Sequence, residues 1–223
     1  MPKVLFKLDI LKDARNYYDT ASSDINFGHD FTKSLRPEVY KKLKGKKWEV
    51  VKEYITHLLK NGYEKDKEKI ENKLNEIKDG WNKIQKKYFK QLEKITKKKI
   101  YREEFICYIT TIGRCPYNVK ENWFMTNIFQ SVDKIFLTIA HELMHLQFHH
   151  YFEKQLRKKI SYKQFQDIKE ALTVLLNVEF RDIIKEEDKG YTDHIELRAF
   201  IKETWKKEKD FDKLLKSVLD NQV

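Results

Sequence analysis

The 223-residue chain has only two cysteines, three prolines and six glycines, and only seven of its 46 basic residues are arginine. Each scarcity excludes something. Cys107 and Cys115 cannot build a disulfide framework and are not spaced as a thiolate metal ribbon, so both are expected to be reduced thiols. No window approaches the roughly 18 uninterrupted apolar residues that a membrane-spanning helix needs, so no membrane segment is expected. Residues 1–11 are broken by Lys3, Lys7 and Asp9, which argues against the apolar core of a signal peptide and makes a cytoplasmic location the expectation. The shortage of arginine bears on the net charge of +11. Arginine is the residue that forks onto phosphate and guanine, and a lysine-dominated surplus fits solvated helix faces at least as well as a nucleic-acid interface. Much of the surplus has an address: residues 60–99 hold 14 lysines against seven acids. An acidic partner of that segment is one expectation, separate from any chemistry elsewhere in the chain.

What the sequence does contain is helical and strand periodicity in separate blocks. Residues 3–10 alternate roughly as a short strand. From Pro37 to Lys60 the pattern is helical, with Pro37 suited to a first turn and Asn61-Gly62 to a stop. Ile70, Leu74, Ile77, Trp81, Ile84, Tyr88 and Ile95 then form a seam at spacings of three and four on a helix from about Glu64 to Lys97. The two helices are expected to pair as a hairpin inserted at 37–99. Residues 100–112 are β-branched and aromatic, 113–118 read as a turn, and 122–128 read as another short strand. Helical segments follow from Val132 to about Phe152, from Ser161 to about Glu186, and from His194 to Leu219. Ser161 and Gln164 form a capping-box signature at the second of these.

The chemistry sits in the first of those helices, at His141-Glu142-Leu143-Met144-His145. At about 100° per residue the two histidines lie about 40° apart and Glu142 about 100° from the first, so the three share one arc. Two imidazoles on one cation with a carboxylate beside it match zinc, which keeps an open position for water in catalytic sites. The flanks, Phe136 to Ala140 and Leu146 to Phe148, are largely apolar, and ionisable groups embedded there need partners. Glu170 has the same character: a lone carboxylate at the head of the apolar run Ala171 to Leu176, more than two turns past the Ser161 cap. Nine residues beyond the cap is about 13 Å of helix, so Glu170 comes level with His145 if the first helix ends near Lys154. If that helix runs on to Ile160, Glu179 comes level instead.

With these residues the chain resembles the HExxH zinc metallopeptidases, the zincins. Thr138, Ile139, Leu143, Met144 and Leu146 match the extended family pattern, and Gln147 departs from it. The metzincin branch is excluded, because Phe148 and Tyr151 stand where it has Gly and His. The gluzincin branch takes its third ligand from a Glu on a following helix, which implies His141, His145 and Glu170 around Zn2+, with Glu179 as the alternative. The resemblance implies Glu142 as general base and Tyr191 or His194, with Asp193 orienting the latter, as support for the oxyanion. It also implies that the 122–128 strand is a sheet edge holding extended substrate, with at least two of Trp123, Phe124 and Met125 in the core. His149 continues the four-residue spacing and could stand near the site, and His150 follows it.

The expectation is therefore a single α+β, zincin-like domain over 1–223. A small mixed sheet would combine with the 37–99 helical hairpin and a metal-binding catalytic core at 100–223. The implied function is zinc-dependent hydrolysis of a peptide or protein substrate. A catalytically silent zincin-fold binding module and a basic nucleic-acid-binding protein are the alternatives.

Overall fold

A computed structural model describes residues 1–23 and 28–222 as a mixed α+β arrangement. Its sheet has four strands: β1 (Lys3–Lys7), β2 (Glu104–Thr110), β3 (Tyr117–Asn118) and β4 (Trp123–Asn127). Their spatial order is β1-β2-β4-β3, with β1 and β4 parallel to β2 and β3 antiparallel to β4. The three expected strand segments are all present, each shorter than its sequence block. The first stops at Lys7 because Asp9 caps a helix that the sequence reading left out, α1 (Ile10–Ala21), by accepting from the Lys12 amide.

Buried Asp13 fastens α1 to the end of β2. It accepts from the Thr110 hydroxyl at 2.5 Å, the Thr111 hydroxyl at 2.8 Å and the Thr111 amide at 3.2 Å. Asn16, one turn on, donates to Thr110 Oγ1 and to the Arg114 carbonyl, both at 2.9 Å, and so holds the loop that leaves β2.

The 37–60 block is two helices, α2 (Pro37–Leu43) and α3 (Trp48–Lys65), separated by a bend at Gly45, whose φ of +69° favours glycine. Asn61-Gly62 does not stop α3. Gly62 lies inside the helix on its exposed side, and the break comes at Asp66. The long seam forms α4 (Lys67–Thr96), with Ile70, Leu74, Ile77, Trp81, Tyr88 and Ile95 buried. The two helices serve different cores. Val51, Ile55 and Leu59 of α3 pack with α1 and α2 in a small cluster, whereas the α4 seam joins the main core beneath the sheet and the later helices.

The partner of α4 is α5 (Val132–Leu156), the helix carrying the HExxH motif, capped by Ser131 accepting from the Lys134 amide. The Trp81 ring meets Phe136 edge-on at 5.9 Å, and the Tyr88 hydroxyl donates to the carbonyl of Ala140, one residue before His141, at 2.6 Å. Gly80 permits this approach, since a Cβ there would stand 2.5 Å from the Phe136 ring. The capping box expected at Ser161 is present and starts α6 (Tyr162–Leu172). A 3-10 turn (Thr173–Leu175) leads into the short α7 (Leu176–Glu179). The helix expected to reach Glu186 thus ends at Glu179. Beyond it, Asn177 exchanges side-chain hydrogen bonds with the Asp188 backbone at 2.7 and 2.8 Å and folds residues 180–190 back toward α5. The last helical block is split into α8 (Ile195–Glu208) and α9 (Phe211–Gln222) by Lys209, which is left-handed at φ +47° without the glycine that usually marks such a break.

Replacing Gly80 by alanine should therefore destabilise the protein. The intrinsic helix gain of about 1 kcal/mol opposes an overpacking cost of about 1–3 kcal/mol. A lower urea midpoint with an unchanged slope is the expected outcome, and a higher midpoint would contradict the close packing of α4 on α5.

Candidate metal centre

His141 and His145 project from α5, and Glu170 from α6, onto one point. Glu170 Oε2 lies 3.2 Å from His145 Nε2 and 3.4 Å from His141 Nε2, and one ligand atom from each of the three residues lies within 4.8 Å of the others. The α5 helix ends at Leu156, close to the end near Lys154 that brings Glu170 level with the motif. Glu179 is elsewhere. It accepts from Trp205 Nε1 at 2.7 Å and Gln91 Nε2 at 3.2 Å and pairs with Lys209.

This group could hold a metal ion, and its two histidine–carboxylate distances suit one. Zinc bonds of about 2.0–2.1 Å at tetrahedral angles set neighbouring ligand atoms about 3.3 Å apart. The orienting contacts also fit. His141 Nδ1 is 2.8 Å from Asp188 Oδ2, a carboxylate on the far ring nitrogen that fixes the ring and directs Nε2 toward Glu170. Asp188 is itself held from behind: its Oδ1 accepts from the Gly190 amide at 2.8 Å, and the buried Arg198 donates to its carbonyl at 2.5 Å. Gly190 has φ +64°, and a Cβ on it would stand 2.6 Å from the Arg198 guanidinium. Arg198 also donates to Thr173 Oγ1 at 2.8 Å, joining the Asp188 loop to the end of α6. Buried Lys169 donates to Glu170 Oε1 at 2.6 Å, which occupies the carboxylate oxygen turned away from the histidines.

The site groups titrate very differently. Burial lifts the Glu142 carboxyl to about 7, helped by the nearby Glu170 and Asp188 carboxylates, and its Oε2 is buried with no hydrogen-bond partner among the described residues. Burial opposes the charged form of His141, but Asp188, Glu170 and Glu142 outweigh it and raise this imidazole to about 10. Burial dominates at His145 and lowers it to about 3. Glu170 is held well below the usual carboxylate range: burial opposes this, but His145, Lys169 and His141 prevail.

A cleft of about 550 Å3 opens onto these residues. Tyr191 lines it, and burial together with the site carboxylates raises its phenol pKa, keeping it a proton donor. His194 does not line it. That residue is buried at the start of α8 with Nε2 3.0 Å from Asp167, so Asp167 makes the contact expected of Asp193. β4 is not a sheet edge as expected, because β3 lies outside it, with Tyr117 opposite Phe124 and Asn118 opposite Trp123. Phe124 and Met125 are in the core, as expected of at least two of the three residues, and Trp123 is half-buried against Lys12. Tyr117 instead faces the cleft, receives a hydrogen bond from Lys169 Nζ at 2.8 Å and lies 2.9 Å from His149 Nε2. His149 is thus an inner support, with Nδ1 3.0 Å from Glu153 Oε2, while exposed His150 stacks on Tyr101. Cys115 also lines the cleft, its thiol pushed up to about 12 by burial, whereas Cys107 is buried in the main core.

The chain matches no protein-family model, no curated protein and no solved structure at a significant level. No helix among the described residues is long and apolar enough to cross a membrane.

Asp188, Tyr117, Lys169 and Arg198 were not singled out from the sequence. Only Lys169 left a signal there, as a charge beside Glu170 at the entrance to an apolar run. Asp188 stands in an acidic stretch resembling any solvated loop. Asp188→Asn should weaken metal binding about 10- to 100-fold, the usual cost of losing a carboxylate behind a ligating histidine. Competition against a chelating dye measures this, and unchanged affinity would remove Asp188 from the site.

Proposed function

We propose that this protein is a zinc-dependent peptidase of the zincin type, with a gluzincin-like ligand set. The observation that carries the reading is the convergence of His141, His145 and Glu170, with Glu170 3.2 and 3.4 Å from the two imidazoles and the buried Glu142 carboxyl next to the first histidine on the same helix. His141, His145 and Glu170 would hold the ion. When bound, zinc supplies Lewis acidity toward the scissile carbonyl and a lower pKa for the attacking water.

The chain's own residues supply the proton handling. Glu142, with its pKa near 7, accepts the proton of the attacking water and delivers it to the departing amine. Its Oε2 suits this, since no donor among the described residues competes for that oxygen's lone pairs. The Tyr191 phenol donates toward the oxygen on which negative charge develops, and Lys169 keeps Glu170 anionic and turned to present a single oxygen. Asp188 maintains the His141 ring orientation through the cycle.

Metal analysis of purified protein, with activity on a mixed peptide library, tests this reading. Wild type should carry close to one zinc per chain, and His145→Ala should lose it. Glu142→Gln should keep the metal while turnover falls on the order of 10²- to 10⁴-fold, the usual span for removing a general base. Wild type without stoichiometric zinc would refute the metal centre. Equal activity of Glu142→Gln would refute the assigned mechanism.

A further inference from the structure

The charged groups lining the cleft divide into two sets. Glu142, Glu170, Asp188 and Lys169 belong to the centre and are accounted for there. The others, among the described residues, are Arg114, Lys134 and Lys189, all basic. None of these three has a carboxylate within 4 Å among the described residues. We infer that the cleft selects peptides with aspartate or glutamate close to the bond to be cut, and that Arg114, Lys134 and Lys189 read those side chains.

Position supports this beyond the count of charges. Lys134, Thr138 and His141 follow one another at spacings of four and three along α5, so Lys134 shares the face that carries the first metal ligand. Seven residues of helix rise about 10.5 Å, which an extended peptide at about 3.3 Å per residue covers in three positions. Lys134 is therefore placed to meet a side chain about three residues from the scissile bond. Arg114 is half-buried in the loop before β3, and its mount is built: its carbonyl is held by Asn16 Nδ2 at 2.9 Å, and its Nη1 donates to Asn16 Oδ1 at 3.4 Å. The remaining guanidinium donors have no carboxylate within 4 Å among the described residues, and a planar fork of this kind matches a carboxylate. Lys189 follows Asp188 and lines the same cleft, adding a third positive charge to it. A concave site with one sign of unneutralised charge concentrates the opposite charge and repels its own.

The inference rests on the peptidase reading for the fate of the peptide but not for its binding, so the two can fail separately. Three fluorescent peptides sharing one apolar centre and flanked by Asp/Glu, Asn/Gln or Lys would be titrated by anisotropy into zinc-loaded Glu142→Gln protein. Wild-type protein would be run in parallel on a degenerate peptide library. The acidic peptide should bind at least about tenfold more tightly than the neutral one and lose that advantage as salt is raised toward 0.5 M. Library cuts should be enriched in Asp or Glu within three or four positions of the cleaved bond. Lys134→Glu and Lys189→Glu, each with zinc content and melting temperature checked, should reduce or invert the preference. Arg114→Gln removes the charge while keeping a side chain that can still bond Asn16, and should reduce it too. Equal affinity for the three peptides, or a preference that survives all three substitutions, would overturn the inference. Library cleavage without acidic enrichment would overturn it while leaving the peptidase reading intact. Preferential binding of the acidic peptide by a wild type that cuts nothing would support it and refute the peptidase reading.

Discussion

A carboxylate buried with two imidazoles and an ammonium is the constraint on which the rest of this molecule depends. Glu170 is 7 % exposed, and an ionised group so placed is tolerated only when partners on every side replace the water it has lost. His141 and His145 face one oxygen and Lys169 the other. Meeting those demands fixes where α6 lies against α5 and where the chain must go after α6. Arg198 and Asn177 bring the Asp188 segment back over the site, and Asp188 reaches the ring nitrogen of His141 that Glu170 leaves free. In the protein alone His141 is pushed toward its protonated form beside an anionic Glu170, and a divalent cation would compete with that proton for the imidazole nitrogen.

Three carboxylates lie in this small space, and their partners keep them in different states. Glu170 has three cationic or proton-donating neighbours and stays anionic. Asp188, between His141 and Arg198, is likewise held below its ordinary range. Glu142 has no direct hydrogen-bond partner at one oxygen among the described residues and feels both other carboxylates, so burial prevails and its pKa rises. Such separation of otherwise similar groups is a pattern that acid–base sites share. The α4 helix packs against the helix that carries Glu142. The long helix lays its buried seam along α5, with Tyr88 bonded to the carbonyl one residue before the first histidine.

The surplus of lysine on residues 60–99 decorates the outer faces of α4 and its neighbours, and nothing about it reaches the cleft. Apart from Lys169 on α6, the basic groups that do reach the cleft come from three separated places in the chain, the loop before β3, the first turn of α5 and the loop after α7. Scattered in this way, they are invisible as a cluster in one dimension.

The sequence by itself determined the local features: the arc shared by His141, Glu142 and His145, the capping box at Ser161, the long seam of α4, the three principal strands and the choice of Glu170 as a carboxylate needing partners. These were legible because helix and strand periodicity and the cost of an unpartnered charge are properties of short segments. The α1 helix, the continuation of α3 through Gly62 and the break at Lys209 were missed or misplaced because packing overrode weak local preferences there. The tertiary structure alone decided that Glu170 and not Glu179 meets the histidines, that β3 and not β4 forms the sheet edge, and that His194 serves Asp167 rather than the cleft. It alone brought Asp188, Tyr117 and Arg198 to the site, since each arrives by a long-range return of the chain whose driving force, the pairing of buried polar groups, exists only once the core has closed.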